Sequence, residues 1–401
     1  MIGPLGECLV QVMAWLCQFP GNFCLYFRSY RLFRTILFVG LLLCYCEFVH
    51  YYVVLFQCTW PQLNNDMFDR TLPPKFHPLR VMVIADTHLL GKHGHWFDRL
   101  RREWQMERAF QTSMLIHSPD VVFVLGDLLD EGKWCSDSQF QDHVKRFQKM
   151  FSTSQNTDMY VVVGNHDIGF HYAMTPHKER RFEKAFNAPS VKMLRIRDNI
   201  FVLVNSMTLE GDGCSLCQDA VSKLQEVSQQ LRCAQDPLKS SSSHNVCHQW
   251  EQFTYTKPIL LQHYPMFRTS DIDCDTPDAA PLDEKDTPFK PKWDCLSQAA
   301  TEQMFGLLDP RLVISAHTHH GCYRLHKGSV PEWTIPSFNW RNKNNPSFLL
   351  ATISNDNYAV KRCLMPRETT VIALYIIWGL LILLTLPFPR RIIKFNTDKA
   401  H

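Results

Sequence analysis

Five short apolar runs in this 401-residue chain end in carboxylate, amide or imidazole side chains. In "VMVIADTH" the polar residues begin at Asp86, and in "VVVGNHD" they begin at Asn165. An uncompensated polar group at the end of a buried strand costs free energy, so one such ending is ordinary, but five indicate a shared purpose. We therefore expect the fold to bring several strand ends together.

The order of the elements predicts an α/β fold. Residues 80–167 contain three strand-like apolar runs separated by two stretches with helical spacing, the first of them at residues 96–117. This order favours strands whose functional loops gather at their carboxyl ends. Later runs within "NIFVLVNS", "PILLQHYPMF" and "RLVISAHTH" predict a second sheet, interrupted by a helical insertion at 210–252 and a surface loop at 271–293.

Two long apolar stretches flank this region and predict membrane spans at residues 35–56 and 371–388. Basic residues lie outside both stretches, and the positive-inside rule places such residues in the cytosol. They are Arg28, Arg31, Arg34, Arg390, Arg391 and Lys394. We therefore expect a cytosolic segment at 1–34, an uncleaved signal anchor at 35–56, a lumenal domain at 57–370, a second span at 371–388 and a cytosolic tail at 389–401.

The first apolar stretch contains two ionisable residues, Glu47 and His50, which lie three positions apart on one helical face. Side chains at this spacing can interact, and we expect these two to pair with each other near the lumenal boundary. Ionisable residues inside a membrane often serve function, so a functional role is the alternative.

Cysteine usage agrees with a lumenal domain. Ten of the fifteen cysteines lie between the two apolar stretches, and an even number in an oxidising compartment predicts disulfides without giving their pairing. The cluster of Cys214, Cys217, Cys233 and Cys247 could instead bind zinc, although disulfides are the better interpretation. The net charge of +3 is small and scattered, which argues against a nucleic-acid partner.

The polar strand ends supply a mixed set of oxygen and imidazole groups. Such a set suits divalent ions of manganese, iron or zinc rather than calcium or magnesium alone. In Asp86-Thr87-His88 and His317-Thr318-His319, residues i and i+2 of an extended segment point the same way, so both members of each pair can face one site. The full set is Asp86, His88, Asp127, Asn165, His166, Asp167, His263, His317 and His319.

These endings resemble, in order, the motifs of the calcineurin-like binuclear metallophosphoesterases. They are "ADTH", "GDLLDEG", "GNHD", "QHYP" and "AHTHH", within residues 80–324. The one departure is Ala316, where the family usually has Gly, and it leaves both histidines in place. The resemblance implies an α/β fold, a β-sandwich flanked by helices and here tethered by two transmembrane helices, with two bound divalent ions expected to be Mn²⁺.

The resemblance also implies a role for each polar residue. His166 would stabilise or protonate the leaving oxygen. Asp167 would either orient the His166 ring or serve only as a turn residue. One metal ion would be held by Asp86, His88 and His319, the other by Asn165, His263 and His317, with Asp127 bridging both.

A phosphoesterase placed between two membrane spans resembles the branch of this family that remodels glycosylphosphatidylinositol (GPI) anchors. The resemblance implies removal of the ethanolamine phosphate side branch from the second mannose, which promotes exit of GPI-anchored proteins from the endoplasmic reticulum (ER). The partners would be GPI-anchored proteins and the lipid bilayer. The location would be ER exit sites, the ER–Golgi intermediate compartment and the cis-Golgi membrane.

Several alternatives stay open. The tail could contact vesicle coats or cargo receptors, but "NTDKAH" has Lys399 without the second lysine of a dilysine retrieval signal. The enzyme could act on another lumenal phosphoester, because loops such as 210–252 and 271–293 choose the substrate. The chain could also be a non-catalytic adaptor for GPI-anchored proteins, although no expected ligand is missing.

Overall fold

The computed structural model describes residues 30–63, 77–209, 211–235, 247 and 253–385. Most of the expected N-terminal segment, the expected tail and the end of the insertion at 210–252 lie outside these residues. The chain divides into two units. Residues up to His50 together with those from Thr369 form one unit, and Tyr51–Glu368 form the other.

Two mixed β-sheets build the larger unit. Their strands are β1 (Leu79–Ile84), β2 (Val121–Leu125), β3 (Asp158–Val162), β4 (Val191–Ile196), β5 (Asn199–Val204), β6 (Ile259–Gln262), β7 (Leu312–Ser315), β8 (Cys322–His326), β9 (Val330–Thr334), β10 (Ser347–Ile353) and β11 (Tyr358–Leu364). The first sheet has the order β11-β10-β1-β2-β3, and the second has the order β4-β5-β6-β7-β9-β8.

Parallel strands bring their carboxyl ends to one edge of each sheet. In the first sheet β1, β2 and β3 are parallel neighbours, as are β5, β6 and β7 in the second. The predicted polar residues follow β1, β2, β3, β6 and β7 directly, so they collect along these edges. The α/β fold expected from the order of elements is confirmed.

Side chains of the strands alternate between two apolar layers. Val81, Leu261 and Ile314 pack between the two sheets, whereas their neighbours Met82, Leu260 and Val313 belong to the layer shared with the helices. Because both faces are covered in the middle of the sheets, the central strands β2, β5, β6 and β7 are buried along their whole length. The arrangement is a sandwich flanked by helices.

The helices agree with the sequence pattern where it was strongest. They are α1 (Tyr30–Cys44), α2 (His50–Leu55), α3 (Trp96–His117), α4 (Asp137–Met150), α5 (Asn165–Ile168), α6 (Pro176–Phe186), α7 (Ser215–Gln235), α8 (Gln298–Leu308) and α9 (Glu368–Thr385). The predicted helix at 96–117 is α3, and α7 lies in the predicted insertion. The expected loop at 271–293 consists of turns and irregular chain.

Disulfides join eight of the ten cysteines that lie between the apolar stretches, which confirms the expectation of disulfides. The four cysteines of the insertion form two pairs instead of surrounding one zinc ion. Cys135 and Cys295 are buried and free. The disulfides are Cys58–Cys363, Cys214–Cys217, Cys233–Cys247 and Cys274–Cys322.

One helix in the described part of the chain is long and apolar enough to cross a membrane. It runs from Phe33 to Leu55 and joins α1 to α2 through a π-helical segment at Tyr45–Val49. It matches the first expected span at 35–56. The apolar helix at Glu368–Leu384 is shorter, and the second expected span at 371–388 continues past the described residues.

The expected pairing of Glu47 with His50 is wrong for the part of the chain that the structure describes. The Glu47 carboxylate instead accepts a hydrogen bond from the phenol of Tyr375 on α9, 328 positions along the chain. The His50 ring packs against the Tyr45 ring at a centroid distance of 5.7 Å. The spacing of residues within one helix could not predict this hydrogen bond, because its donor, Tyr375, lies on a different helix.

Candidate metal centre

The carboxyl ends of the parallel strands lead to a cluster of carboxylates and imidazoles. Asp127 belongs to both of its two groups, so each group can hold one metal ion with Asp127 between them. Within each group the ligand atoms lie within 4.8 Å of one another; the first comprises Asp86, His88, Asp127 and His319, and the second comprises Asp127, His263 and His317.

In the first group, two imidazole nitrogens face each other. His88 Nε2 lies 3.1 Å from His319 Nε2, and each of these nitrogens lies 3.8 Å from Asp86 Oδ1. Asp86 is fully buried, and no residue in the described ranges donates a hydrogen bond to its Oδ1. A buried carboxylate oxygen without a donor is costly, so this position fits a bound cation.

The second group surrounds the ring of His263. Its Nε2 lies 3.0 Å from Asn165 Oδ1, 3.4 Å from Asp127 Oδ2 and 3.2 Å from His317 Nδ1. Two nitrogen ligands that each lie about 2.1 Å from one ion are about 3.0 to 3.4 Å apart. The nitrogen pairs of both groups have such separations, so the spacing fits two metal ions.

Backbone carbonyls orient two of the imidazoles. His263 Nδ1 donates to the carbonyl of Leu125 at 2.8 Å, and His317 Nε2 donates to the carbonyl of Trp293 at 2.7 Å. A carbonyl can only accept, so the proton of each ring lies on the nitrogen that faces away from the cluster. In the neutral ring that binds a metal ion, the other nitrogen would then present its lone pair to the site.

The polar residues do not lie in extended segments, contrary to the sequence expectation. A positive φ occurs at Asp86, His88, Asp127, His317 and His319, with values from 42° to 76°. This left-handed region is unfavourable for residues other than glycine, and such strain concentrates at functional sites. Each pair still converges, because the chain turns sharply at both of its members.

The two central carboxylates have opposite electrostatic surroundings. Burial raises the pKa of Asp86 to about 8. Burial acts on Asp127 in the same direction, but neighbouring histidines, His263 above all, outweigh it and hold the pKa of Asp127 well below its usual range. Asp127 is therefore an anion between the two groups, whereas a cation beside Asp86 would displace a proton.

His166 lies beside the cluster and is held from two sides. Its backbone N–H donates to Asp127 Oδ1 at 2.7 Å, and its ring Nδ1 donates to the carbonyl of Asp130 at 3.1 Å. Burial alone would lower the pKa of His166, but the Asp130 carboxylate and the charge of Asp127 together outweigh burial and raise it. The ring is therefore fixed at Nδ1 and keeps Nε2 for another partner.

Asp130 is a site residue that the sequence reasoning missed. Its Oδ1 lies 3.4 Å from both His88 Nδ1 and His166 Nδ1, and it also pairs with Arg341. It links one residue of the first group to His166. Asp130 is present in the motif "GDLLDEG", three positions after Asp127. The sequence argument selected only polar residues that directly follow an apolar run, and of the two carboxylates only Asp127 does so.

Asp167 stabilises the turn and does not orient the His166 ring. Its two carboxylate oxygens accept the backbone N–H groups of Gly164 at 2.9 Å and Leu129 at 3.0 Å. Two roles were expected for Asp167, and its contacts support that of a turn residue. The residue that contacts the His166 ring is Asp130. Gly164 is required here, because a Cβ on it would lie 2.2 Å from the backbone nitrogen of Asp127.

Paired ligand groups on the strand ends of a two-sheet sandwich define a binuclear metallophosphoesterase. The model of the calcineurin-like phosphoesterase family matches residues 79–321, and the chain belongs to this family. The fold and activity class expected from the motifs are thereby confirmed. Family membership implies two divalent metal ions, in agreement with the two ligand groups.

The chain is also similar to individual named proteins and solved structures. The chain is 49% identical over 346 residues to Metallophosphoesterase 1 of Gallus gallus, covering 86% of each chain. It is 45% identical over 357 residues to Metallophosphoesterase 1 of Cricetulus griseus, covering 88% of each. Among solved structures, a dimetal phosphatase from Danio rerio matches 73% of this chain and 100% of its own, with a TM-score of 0.41 and 14% identity.

Replacing Asp167 by alanine should destabilise the protein. The Asp167→Ala variant leaves two buried N–H groups without acceptors, so we expect the free energy of unfolding to fall by roughly 2 to 4 kcal/mol. Denaturant unfolding of the detergent-purified protein, followed by tryptophan fluorescence, measures this change. Asp142→Ala removes an exposed carboxylate and is the matched control. Equal stability of the two variants would show that the Asp167 contacts contribute nothing.

Proposed function

We propose that this protein is a membrane-bound, manganese-dependent phosphodiesterase that removes the ethanolamine phosphate side branch from the second mannose of GPI anchors. The observation that carries the proposal is the pair of ligand groups sharing Asp127, on a chain similar to proteins named Metallophosphoesterase 1. Removal of the branch promotes ER exit of GPI-anchored proteins. These proteins and the lipid bilayer are the partners of the enzyme.

Seven side chains hold the two ions in this proposal. Their mixture of oxygen and nitrogen ligands suits Mn²⁺. Two such ions supply an activated water at neutral pH and neutralise phosphate oxygens. Asn165 contributes a neutral oxygen, which adds no negative charge where phosphate must enter. One ion would be held by Asp86, His88 and His319, the other by Asn165, His263 and His317, and Asp127 would be shared between them.

His166 acts as the general acid. Asp130 fixes its Nδ1, and Asp130 and Asp127 together raise its pKa, which favours the protonated form of the ring. A water oxygen bonds to phosphorus as the bond between phosphorus and the sugar oxygen breaks, and the sugar oxygen takes the proton from His166 Nε2. The products are the free mannose hydroxyl and ethanolamine phosphate.

Removing His166 and removing Asp127 should have different effects. His166→Ala should keep about two metal ions per chain and lower kcat by about 10²- to 10⁴-fold, because only proton transfer is lost. Asp127→Ala should lose both metal and activity, because neither group is then complete. Elemental analysis of the purified protein gives the metal content, and steady-state hydrolysis gives kcat.

The exposed His177 provides a matched control for these measurements. His177→Ala should keep the metal and the rate, because this ring is 64% exposed and pairs only with Asp137 among the described residues. A His166→Ala variant that loses its metal would contradict the role of general acid. Normal export of GPI-anchored proteins in cells that contain only the Asp127→Ala variant would favour the adaptor function.

The topology we propose has two membrane spans, at 35–56 and 371–388, with the domain at 57–370 in the lumen. Three observations support it: the apolar character of both helices, the Glu47–Tyr375 hydrogen bond that joins them, and the disulfides of the larger unit. The segments at 1–34 and 389–401 are then cytosolic. The enzyme acts at ER exit sites, the ER–Golgi intermediate compartment and the cis-Golgi, where its tail contacts vesicle coats or cargo receptors.

Engineered glycosylation sites test this topology. The sequence contains no Asn-x-Ser/Thr acceptor, so Lys285→Asn creates a single acceptor, Asn-Asp-Thr, in the loop at 271–293. Cys24→Thr creates the matched acceptor, Asn-Phe-Thr, in the N-terminal segment. We expect a glycosidase-sensitive increase in mass for the first variant only. Modification of the second variant, or absence of modification in the first, would overturn the proposed orientation.

The substrate is tested with the full-length protein in detergent. We expect hydrolysis of a GPI glycan that carries ethanolamine phosphate on its second mannose, with release of ethanolamine phosphate and dependence on Mn²⁺. A generic alkyl phosphodiester is the comparison substrate. Cleavage of the generic ester without cleavage of the glycan would favour a lumenal phosphoesterase with another substrate, because the same centre would then serve a different specificity.

A further inference from the structure

Three aromatic side chains form an open surface beside the metal centre. The ring centroids of Phe170 and Trp293 are 4.9 Å apart, those of Tyr172 and Trp293 are 5.6 Å apart, and those of Phe170 and Tyr172 are 6.0 Å apart. We call these three residues the aromatic platform. Phe170 and Tyr172 lie two positions apart, whereas Trp293 comes from the loop at 271–293, so its association with the other two rings is a property of the fold.

The aromatic platform is attached to the metal centre from both sides. Phe170 follows the end of α5 by two positions, and α5 contains Asn165 and His166. On the other side, the carbonyl of Trp293 accepts the hydrogen bond from His317 Nε2 at 2.7 Å. A molecule that contacts these rings therefore lies next to the group that protonates the leaving oxygen.

Two of the three rings of the aromatic platform, those of Tyr172 and Trp293, are open to solvent. Tyr172 is 71% exposed and Trp293 is 47% exposed, although the chain has a large apolar core. Exposed apolar surface beside a polar site marks a place where a ligand binds. Tyrosine and tryptophan at such a place combine an apolar face with a hydrogen-bonding edge.

The geometry of the rings distinguishes between possible ligands. Proteins that recognise quaternary ammonium ligands typically hold them in a cage of several aromatic rings. Phe170 and Tyr172 are parallel to within 2°, and Trp293 is tilted from them by 36° to 38°, so none of the three rings stands perpendicular to another. Lys133 Nζ also lies 5.6 Å from the centroid of the Phe170 ring, and its charge would repel an ammonium group.

We propose that the aromatic platform binds the pyranose ring of the sugar whose oxygen leaves, and so selects hexose phosphodiesters as substrates. One face of a mannose ring presents C–H groups, whose partial positive charge is attracted to the negative face of an aromatic ring. A ring stacked on Tyr172 and Trp293 brings its phosphoester towards the metal ligands. This assignment rests on the proposed function, because it takes the sugar to be the leaving group.

The test compares a hexose ester with an ester that has no ring. The substrates are methyl α-mannoside carrying ethanolamine phosphate on O6 and ethyl ethanolamine phosphate. Tyr172→Ala and Trp293→Ala should each raise KM for the mannoside roughly tenfold, the loss expected when an aromatic contact worth about 1.4 kcal/mol is removed. KM for the ethyl ester should not change, because no ring contacts the platform.

Two control variants separate stacking from other effects. Tyr172→Phe keeps the ring and should keep the KM of the wild type for the mannoside. Tyr358→Ala removes a tyrosine at the end of the first sheet away from the metal ligands. Tyr358 pairs with Ile353, and Ile353 pairs with Leu79 at the start of β1, whereas Asp86 follows the other end of β1. Tyr358→Ala should leave both KM values unchanged. Equal increases for the two substrates in Tyr172→Ala or Trp293→Ala would overturn the assignment.

Inhibition by a sugar phosphate makes this test independent of GPI hydrolysis. With ethyl ethanolamine phosphate as the substrate, methyl α-mannoside 6-phosphate should inhibit more strongly than methyl phosphate. The Tyr172→Ala and Trp293→Ala variants should lose that difference. If the wild type cleaves no GPI glycan but shows this pattern, the proposed function fails and the hexose platform stands. A preference for a nucleoside 5′-phosphate over the mannoside phosphate would overturn the assignment.

Discussion

Two buried carboxylates, Asp86 and Asp127, follow neighbouring parallel strands, and the charge of this pair determines the surroundings of the centre. Water is excluded from both, so imidazoles, backbone N–H groups and cations must balance them. Asp127 accepts the N–H of His166 at 2.7 Å, and Asp86 accepts the N–H of His317 at 3.2 Å. The loops that carry the histidines are thus bonded to the carboxylates that they surround, which couples the order of the loops to the charge of the site.

This arrangement needs a backbone that most sequences would not tolerate. The left-handed conformations at residues such as Asp86 and His317 are each unfavourable by about 1 to 3 kcal/mol, so they persist only because the surrounding structure holds them. Parallel strands apolar on both faces supply that rigidity. Glycines supply the space, since a Cβ on Gly126 would lie 2.7 Å from His263 Nδ1. The apolar sandwich and the strained polar edge therefore depend on each other.

The sequence predicted those parts of the protein in which local pattern and tertiary structure agree. The strands, the bounds of α3 and the convergence of Asp86, Asp127 and His263 follow from apolar runs with polar ends. The left-handed backbone could not be foreseen, because side-chain spacing assumes an extended chain. Asp130 was missed for a different reason, because its role depends on His88 and His166, which follow separate strands. The Glu47–Tyr375 hydrogen bond likewise joins distant residues, and pairing rules within one helix do not reach it.

Chemistry and substrate choice have separate structural sources in this protein. The metal ligands follow strands fixed by the sandwich, whereas Tyr172 and Trp293 project from loops. Trp293 orients His317 through its backbone carbonyl, which any residue supplies, and only its side chain belongs to the aromatic platform. Exchange of that side chain therefore alters the surface offered to the leaving group and keeps the hydrogen bond that orients a ligand. Such a division allows one metal centre to acquire a new substrate without rebuilding the strand ends.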